Sequence, residues 1–214
     1  MTEINIRRAT VNDIDRISEI QQSALAVLKN PEELDPVPVE DLLNEIKNAL
    51  MAVALVDGKI AAFRTMHIPE EDYLGPYIGI KDPNREGLIY SDITIVDPEF
   101  RGMSLQRKLG QWLFDDVEKK YKVIMATVHP NNLPSLKDKF HLGMSIVAMD
   151  YLYGGKLRFV FMKDLKQDAV FHTHQKVHHL DIEKISMLLE AGDIGYQLCG
   201  EEIYFGKNVN TAKE

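Results

Sequence analysis

The run Val96-Asp97-Pro98-Glu99-Phe100-Arg101-Gly102-Met103-Ser104-Leu105-Gln106 joins two stretches of different character, and its residues suit the binding of an anion. Before it, Leu88 to Ile95 is rich in β-branched and aromatic residues. After it, Leu109, Trp112 and Leu113 recur at helical spacing. A helix that starts here leaves about four N–H groups without intrahelical partners, and its dipole places roughly half a positive charge among them. Gly102 lets the backbone approach a ligand closely, and Arg101, Arg107 and Lys108 add positive charge. A phosphate-bearing ligand at the helix N-terminus is the chemistry expected.

Three other groups of residues could do chemistry. Asp92 lies inside the strand-like stretch, where strict alternation puts it on one face with Tyr90 and Thr94, and puts Ser91, Ile93 and Ile95 on the other. A carboxylate there can accept a proton, anchor an ammonium group or serve as a hydrogen-bonded structural residue. Glu70, Glu71 and Asp72 stand beside Tyr73 and Tyr77, either as a solvated charge run or as acids over a cationic substrate. Of the seven histidines, His172 and His174 alternate on one strand face, as two zinc ligands would. With no paired cysteine and no third ligand at a suitable spacing, ordinary hydrogen-bonded histidines are the reading preferred, and no metal is expected.

These groups need elements to hold them. Residues 4–8 read as a strand, and Thr10 as the cap of a helix carrying Ile14, Ile17, Ile20 and Leu25. Pro31, Pro36 and Pro38 interrupt the chain before a second helix through Leu42, Leu43, Ile46 and Leu50. Strands at 51–56 and 60–66 flank the hairpin signal Asp57-Gly58. From His67 to Gly87 periodicity is lost, and Pro69, Gly75, Pro76, Gly79 and Pro83 mark a long loop. Then come a strand at 88–96, a helix from Leu105 to Tyr121, a buried strand at 123–128 and a helix ending at Gly143. Strands at 145–152 and 157–163 form a hairpin around Gly154-Gly155. Beyond Gln167 follow an extended run, a helix capped by Asp181 and two short strands around Gly200.

At 214 residues and 45% hydrophobic content the chain can bury one substantial core. Its net charge of −8 disfavours generic binding to nucleic acid or to an anionic membrane. Neither a signal peptide nor a run of about 20 apolar residues is visible. One cysteine, Cys199, excludes an intramolecular disulfide, and a cytoplasmic protein is expected.

The order of elements, with Ile95-Val96-Asp97-Pro98-Glu99-Phe100-Arg101-Gly102, resembles the GNAT-type N-acetyltransferases over about residues 3–165. A second fragment, His129-Pro130-Asn131-Asn132-Leu133-Pro134-Ser135 running on to Leu142-Gly143-Met144, is similar to that family's Asn-x-x-Ser/Ala helix. The resemblance implies a mixed α/β (α+β) fold: a mostly antiparallel central sheet flanked by helices over 1–166, with a small C-terminal α/β addition at 167–214. It implies acetyl-CoA as co-substrate, with Ile95 and Val96 bonding the pantetheine arm and the amides of Arg101, Gly102, Met103, Ser104, Leu105 and Gln106 holding the pyrophosphate. Asn132 would contact the coenzyme or cap its helix. Where the family often has a tyrosine that protonates the departing thiolate stands Lys139, which reads as a donor or as a solvent-facing lysine. Ser104 and Gln106 also replace small residues of the family pattern.

The activity implied is acetyl transfer to an amine of unknown identity by direct attack in a ternary complex, with Asp92 as the base. The acceptor pocket would be made by residues near 21–45 and 67–87. A coenzyme-binding or sensory module with a degenerate catalytic site is the alternative. The apolar helix face and aromatic end of 167–214 must be covered, by the core or by a second copy in a homodimer.

Overall fold

The computed structural model describes residues 2–28, 36–82 and 87–209, and the breaks expected at Pro31 and Pro83 lie outside them. In chain order the elements are β1 (Ile4–Arg8), α1 (Ile14–Ala26), α2 (Val39–Lys47), β2 (Met51–Val56), β3 (Lys59–His67), β4 (Leu88–Val96), α3 (Leu105–Val117), β5 (Val123–Val128), α4 (Leu133–His141), β6 (Ser145–Leu152), β7 (Lys156–Asp164), β8 (Phe171–His178), α5 (Ile182–Glu190), β9 (Ile194–Cys199) and β10 (Glu202–Asn208). Among the described residues no helix is long and apolar enough to cross a membrane. The chain divides into two compact units, one of residues 1–68 with 91–119 and the other of 69–90 with 120–214. These boundaries differ from the division expected at residue 166.

In the first unit, β2 pairs antiparallel with β1 and with β3. The β2–β3 turn is Asp57-Gly58 as expected, both residues having positive φ, as a two-residue hairpin of the right twist requires. One face of this sheet packs Val53, Phe63 and Ile95 against Ile17 and Ile20 of α1 and Leu42 and Ile46 of α2. From the neighbouring position on β3, Arg64 instead lies over the Phe114 ring of α3. Helices thus cover both faces, which is why β2 and β3 are apolar almost throughout. Before α1 the chain makes a 3-10 turn at Val11–Asp13, and Asp13 Oδ2 accepts from the Thr10 N–H and hydroxyl at 2.7 and 3.0 Å. α3 ends at Val117, short of the expected Tyr121.

In the second unit, β4 pairs parallel with β5 from Leu88↔Val123 to Tyr90↔Met125, while β7 pairs antiparallel with β5 and β6. β9 joins β6 at Ile146↔Gly195, and β10 lies between β9 and β8. The expected C-terminal strand, helix and two strands are therefore β8, α5, β9 and β10, with Asp181 Oδ1 capping α5 at 3.3 Å from the Lys184 N–H. The stretch expected to be an unpatterned loop is partly built. Residues Gly75–Ile78 form a 3-10 turn, and Leu74 and Ile80 enter a core with Leu88, Tyr90, Met125 and Val160.

Candidate functional site: the β4–α3 corner and the neighbouring face of β3

The turn from β4 into α3 is pinned at its start. The Asp97 N–H donates to Ala61 O on β3 at 2.9 Å, and Asp97 Oδ1 accepts from the Glu99 N–H at 3.0 Å. Its other oxygen receives the Arg16 guanidinium of α1, whose Nε also donates to Ile60 O at 3.2 Å. Asp97 is 4% exposed, so this carboxylate is a structural anchor paired with a cation, as a buried charge requires. Phe100 and Arg101 then fold back, donating their N–H groups to Asp97 O and Pro98 O.

From Gly102 onward the backbone donors change character. Among the described residues, the N–H groups of Gly102, Met103, Ser104, Leu105, Gln106 and Arg107 meet no protein acceptor, and intrahelical bonding resumes with Lys108 N–H on Ser104 O at 3.1 Å. Gly102 has φ 83° and Ser104 φ 58°. Left-handed residues alternating with ordinary ones curl successive N–H groups toward one point, the concavity known as an anion nest. A Cβ built on Gly102 meets nothing within 4 Å, so the space before the corner is open. Arg101, Arg107 and Lys108 are exposed around it. Within the stretch expected to form the cradle, the N–H groups of Phe100 and Arg101 are thus used by the turn itself, and the unpaired donors run from Gly102 to Arg107.

Ile95 and Leu105 are 3% and 1% exposed, so both side chains belong to the core and only their backbones are available to a ligand. Val96, Met103 and Gln106 are half-buried. Gln106 O accepts from Arg64 Nη1 at 3.5 Å, and Arg64, itself wholly buried, also donates through Nη2 to Ser91 Oγ at 2.8 Å. This cation behind the first turn of α3 was not legible in sequence, where Arg64 is one charged residue in an apolar strand.

Asp92 sits on the same strand four residues before Val96, a separation of about 13 Å at the rise of a strand. It is exposed, and one of its oxygens accepts from Thr65 Oγ1 at 3.1 Å. The expected alternation is broken here. Ser91 meets Arg64 on one face, whereas Asp92 meets Thr65 on the other, and Ile93 and Ile95 pack beside Phe63 on that second face. Consecutive residues Asp92 and Ile93 therefore turn to one side, as in a bulge, and the Ile93 N–H goes to Thr65 Oγ1 at 3.2 Å.

Two residues beyond Thr65 on that face, His67 Nδ1 lies 2.7 Å from Glu45 Oε1 of α2. Glu45 is 5% exposed. Its hydrogen bond, partly offset by desolvation and supported by the charges of Glu45, Asp92 and Asp41, raises the His67 pKa above the usual histidine value. The members of this pair are 22 positions apart, so no local pattern links them in the sequence.

The remaining expected residues lie in the second unit. Asn132 caps α4, its Oδ1 accepting from the Ser135 N–H at 3.0 Å. Lys139 is not solvent-facing as one reading had it. It is 4% exposed, with Nζ 3.3 Å from Asp138 Oδ2, because the side of α4 that carries it is the buried one. Asp72 is no solvated charge either. It accepts from the Leu74 and Gly75 N–H groups at 3.1 and 2.8 Å and from the Tyr90 hydroxyl. Burial, followed by the bond to Asp72, pushes the Tyr90 pKa up.

The side chain of His174 lies outside the described residues; His178, His179 and Glu201 instead bring their ligand atoms within 4.8 Å of one another. His179 Nδ1 donates to Pro130 O at 2.8 Å. His178 Nδ1 accepts from the Leu180 N–H, which leaves its proton on Nε2 facing Glu201 Oε2 at 3.3 Å. In that tautomer both His178 nitrogens are engaged by the protein.

No family model matches the sequence, and no curated protein matches it. Solved structures do match in fold. The ribosomal-protein-S18-alanine N-acetyltransferase of Escherichia coli superimposes with a TM-score of 0.58 at 16% identity, over 77% of this chain and 96% of that one. A GNAT-family acetyltransferase of Listeria monocytogenes gives 0.58 at 15% identity, over 75% and 94%. A chain of the NatC complex bound to Gag peptide and CoA gives 0.58 at 12% identity, over 76% and 98%. The fold of this chain is that of the GNAT-type acetyltransferases.

Proposed function

We propose that the chain is an acetyl-CoA-dependent N-acetyltransferase that moves the acetyl group to a primary amine by direct attack in a ternary complex. One observation carries the reading: the consecutive unpaired N–H groups of 102–107 open onto free space at Gly102. A diphosphate supplies acceptor oxygens for that many donors, and the CoA in one structure of this fold makes coenzyme A the diphosphate proposed. The pantetheine arm then runs back along Val96 and Ile95 toward Asp92, and Asn132 is a further proposed contact. Acetyl-CoA as donor fits a cytoplasmic site of action.

When bound, the coenzyme supplies a thioester activated toward nucleophiles. The protein's part is to hold thioester and amine together, which replaces an encounter in solution. The exposed Asp92 carboxylate, its direction set by Thr65, is placed to receive the ammonium group of the acceptor or to take its proton. Lys139 stands where the resemblance puts the donor to the departing thiolate, and is proposed in that role.

Calorimetric titration with acetyl-CoA tests the reading. Saturable binding is expected, and Arg101→Glu should weaken it at least about tenfold, some 1.4 kcal/mol, through lost attraction and added repulsion. No binding at millimolar coenzyme overturns it. A coenzyme-binding or sensory module is the second reading, favoured by serine at left-handed position 104 and by the buried Lys139. Coenzyme release across an amine panel separates the two, since the second reading predicts binding without release.

A further inference from the structure

We propose that His67 is the proton acceptor for the attacking amine and that Glu45 is the residue that orients it. The inference rests on the N-acetyltransferase reading and adds to it the residue that makes the amine nucleophilic.

Placement comes first. Thr65 and His67 share a face of β3, and Thr65 donates its hydroxyl to Asp92 on β4. The imidazole therefore lies on the face to which Asp92 turns, at the end of β3 remote from Ala61, where β3 meets the start of the 97–107 turn. The imidazole and a carboxylate able to anchor an ammonium group are thus presented together, within one compact unit.

Orientation follows from chemistry. An ionised carboxylate only accepts hydrogen bonds, so the contact with Glu45 Oε1 fixes the proton of the neutral ring on Nδ1 and makes Nε2 the basic nitrogen. The His67 side chain is 41% exposed and that of Glu45 only 6%, so the ring meets solvent while the carboxylate behind it is dry. Among the described residues, Glu45 Oε2 has no hydrogen-bond partner. A buried anion so poorly satisfied is stabilised chiefly by positive charge on its one neighbour, and that favours the imidazolium formed when His67 takes a proton.

The groups facing the ring reinforce this. Asp41 comes from α2 and Asp92 from β4, both negative, and the cation Arg64 lies on the opposite face of β3. The raised pKa is the expected consequence, its largest cause being the Glu45 bond.

The step balances without a further reactant. The acceptor ammonium gives one proton to His67 Nε2, the freed amine pair forms the C–N bond to the thioester carbonyl carbon, and the C–S bond breaks with its pair going to sulfur. The adduct nitrogen then loses its second proton, directly or through the protein's donor or water, to the departing thiolate, and His67 returns its own to solvent. The net products are amide, thiol and one proton.

The test is the pH profile of kcat/KM for coenzyme release, with an amine drawn from the panel. Wild-type protein should show an acid limb above the ordinary histidine value of about 6.5. His67→Gln should lower kcat by about 10²–10⁴-fold and remove that limb. Acetyl-CoA affinity should stay unchanged, while Tm falls because the buried Glu45 loses the imidazole beside it. Glu45→Gln should move the limb down, a shift that a packing role would not produce. His67→Gln keeping kcat within about threefold of wild type overturns the proposal, as does an acid limb that Glu45→Gln leaves in place. His67 is half-exposed, so the first variant decides even if the second does not fold. Protein that binds acetyl-CoA but releases coenzyme with no amine also overturns it, while failure to bind acetyl-CoA is the failure of the underlying reading.

Discussion

Ser104 carries the clearest residue-scale conflict between sequence and backbone. Its φ of 58° is a conformation that costs a side-chain-bearing residue about 1–2 kcal/mol, and the turn into α3 enforces it. Ser104→Gly should therefore raise stability by about 1 kcal/mol, or about 2–4 °C in Tm, with coenzyme binding retained. A lowered Tm would mean that the serine side chain makes a compensating contact. Lys139 gives the opposite case. Removing one member of its buried pair with Asp138 takes a counter-charge out of a dry site, so Lys139→Ala should lower the urea midpoint. Residue types announced Arg101, Gly102 and Asp92, because a cation, a glycine and an acid in an apolar strand are unusual where they stand. Nothing local announced His67 or Arg64, whose meaning depends on partners brought in by the fold.

At the scale of elements, hydrophobic period and turn chemistry placed the strands and helices closely, as at Asp57-Gly58, the Asn132 cap and the Asp181 cap. Periodicity is silent where side chains organise the backbone. The segment after His67 is shaped by Asp72, which gathers two N–H groups and the Tyr90 hydroxyl, and no periodicity records that. Gly75 is required within this device, since a Cβ there would fall onto Asp72 Oδ2 and lie 3.1 Å from Ile80 Cβ. Gly75→Ala must displace the carboxylate and break its bonds, at a cost of about 1–3 kcal/mol measurable by thermal unfolding. The same limit explains Asp92. Alternation is a rule for regular strands, and the irregularity beside Thr65 brings Ile93 and Ile95 to the face of the carboxylate, where counting opposes them.

For the molecule as a whole, acid sensitivity is the property the structure predicts most directly. Arg7 donates to both oxygens of Asp13 at 2.7 and 2.8 Å, and this bond, against opposing desolvation, lowers the Asp13 pKa to about 2. Because the folded value lies below the unfolded value of about 3.9, the contribution is complete above about pH 4 and lost as pH falls through about 2. Urea midpoints between pH 5 and pH 2 should fall, and Asp13→Asn should flatten part of that slope. The chain leaves the first unit after Ile68, re-enters it at Ser91 and leaves again after Lys119. Such interleaving depends on long-range strand pairing that one sequence does not display.

The bare donors of residues 102–107 also have a practical consequence at the bench. Any small oxyanion dissolved with the protein finds the same cluster, so phosphate or sulfate buffers should act as competitors and make affinity for a nucleotide-tailed thioester look weaker than it is. The same amides should exchange rapidly with deuterated solvent until a ligand shields them, giving a footprint that requires no acceptor amine.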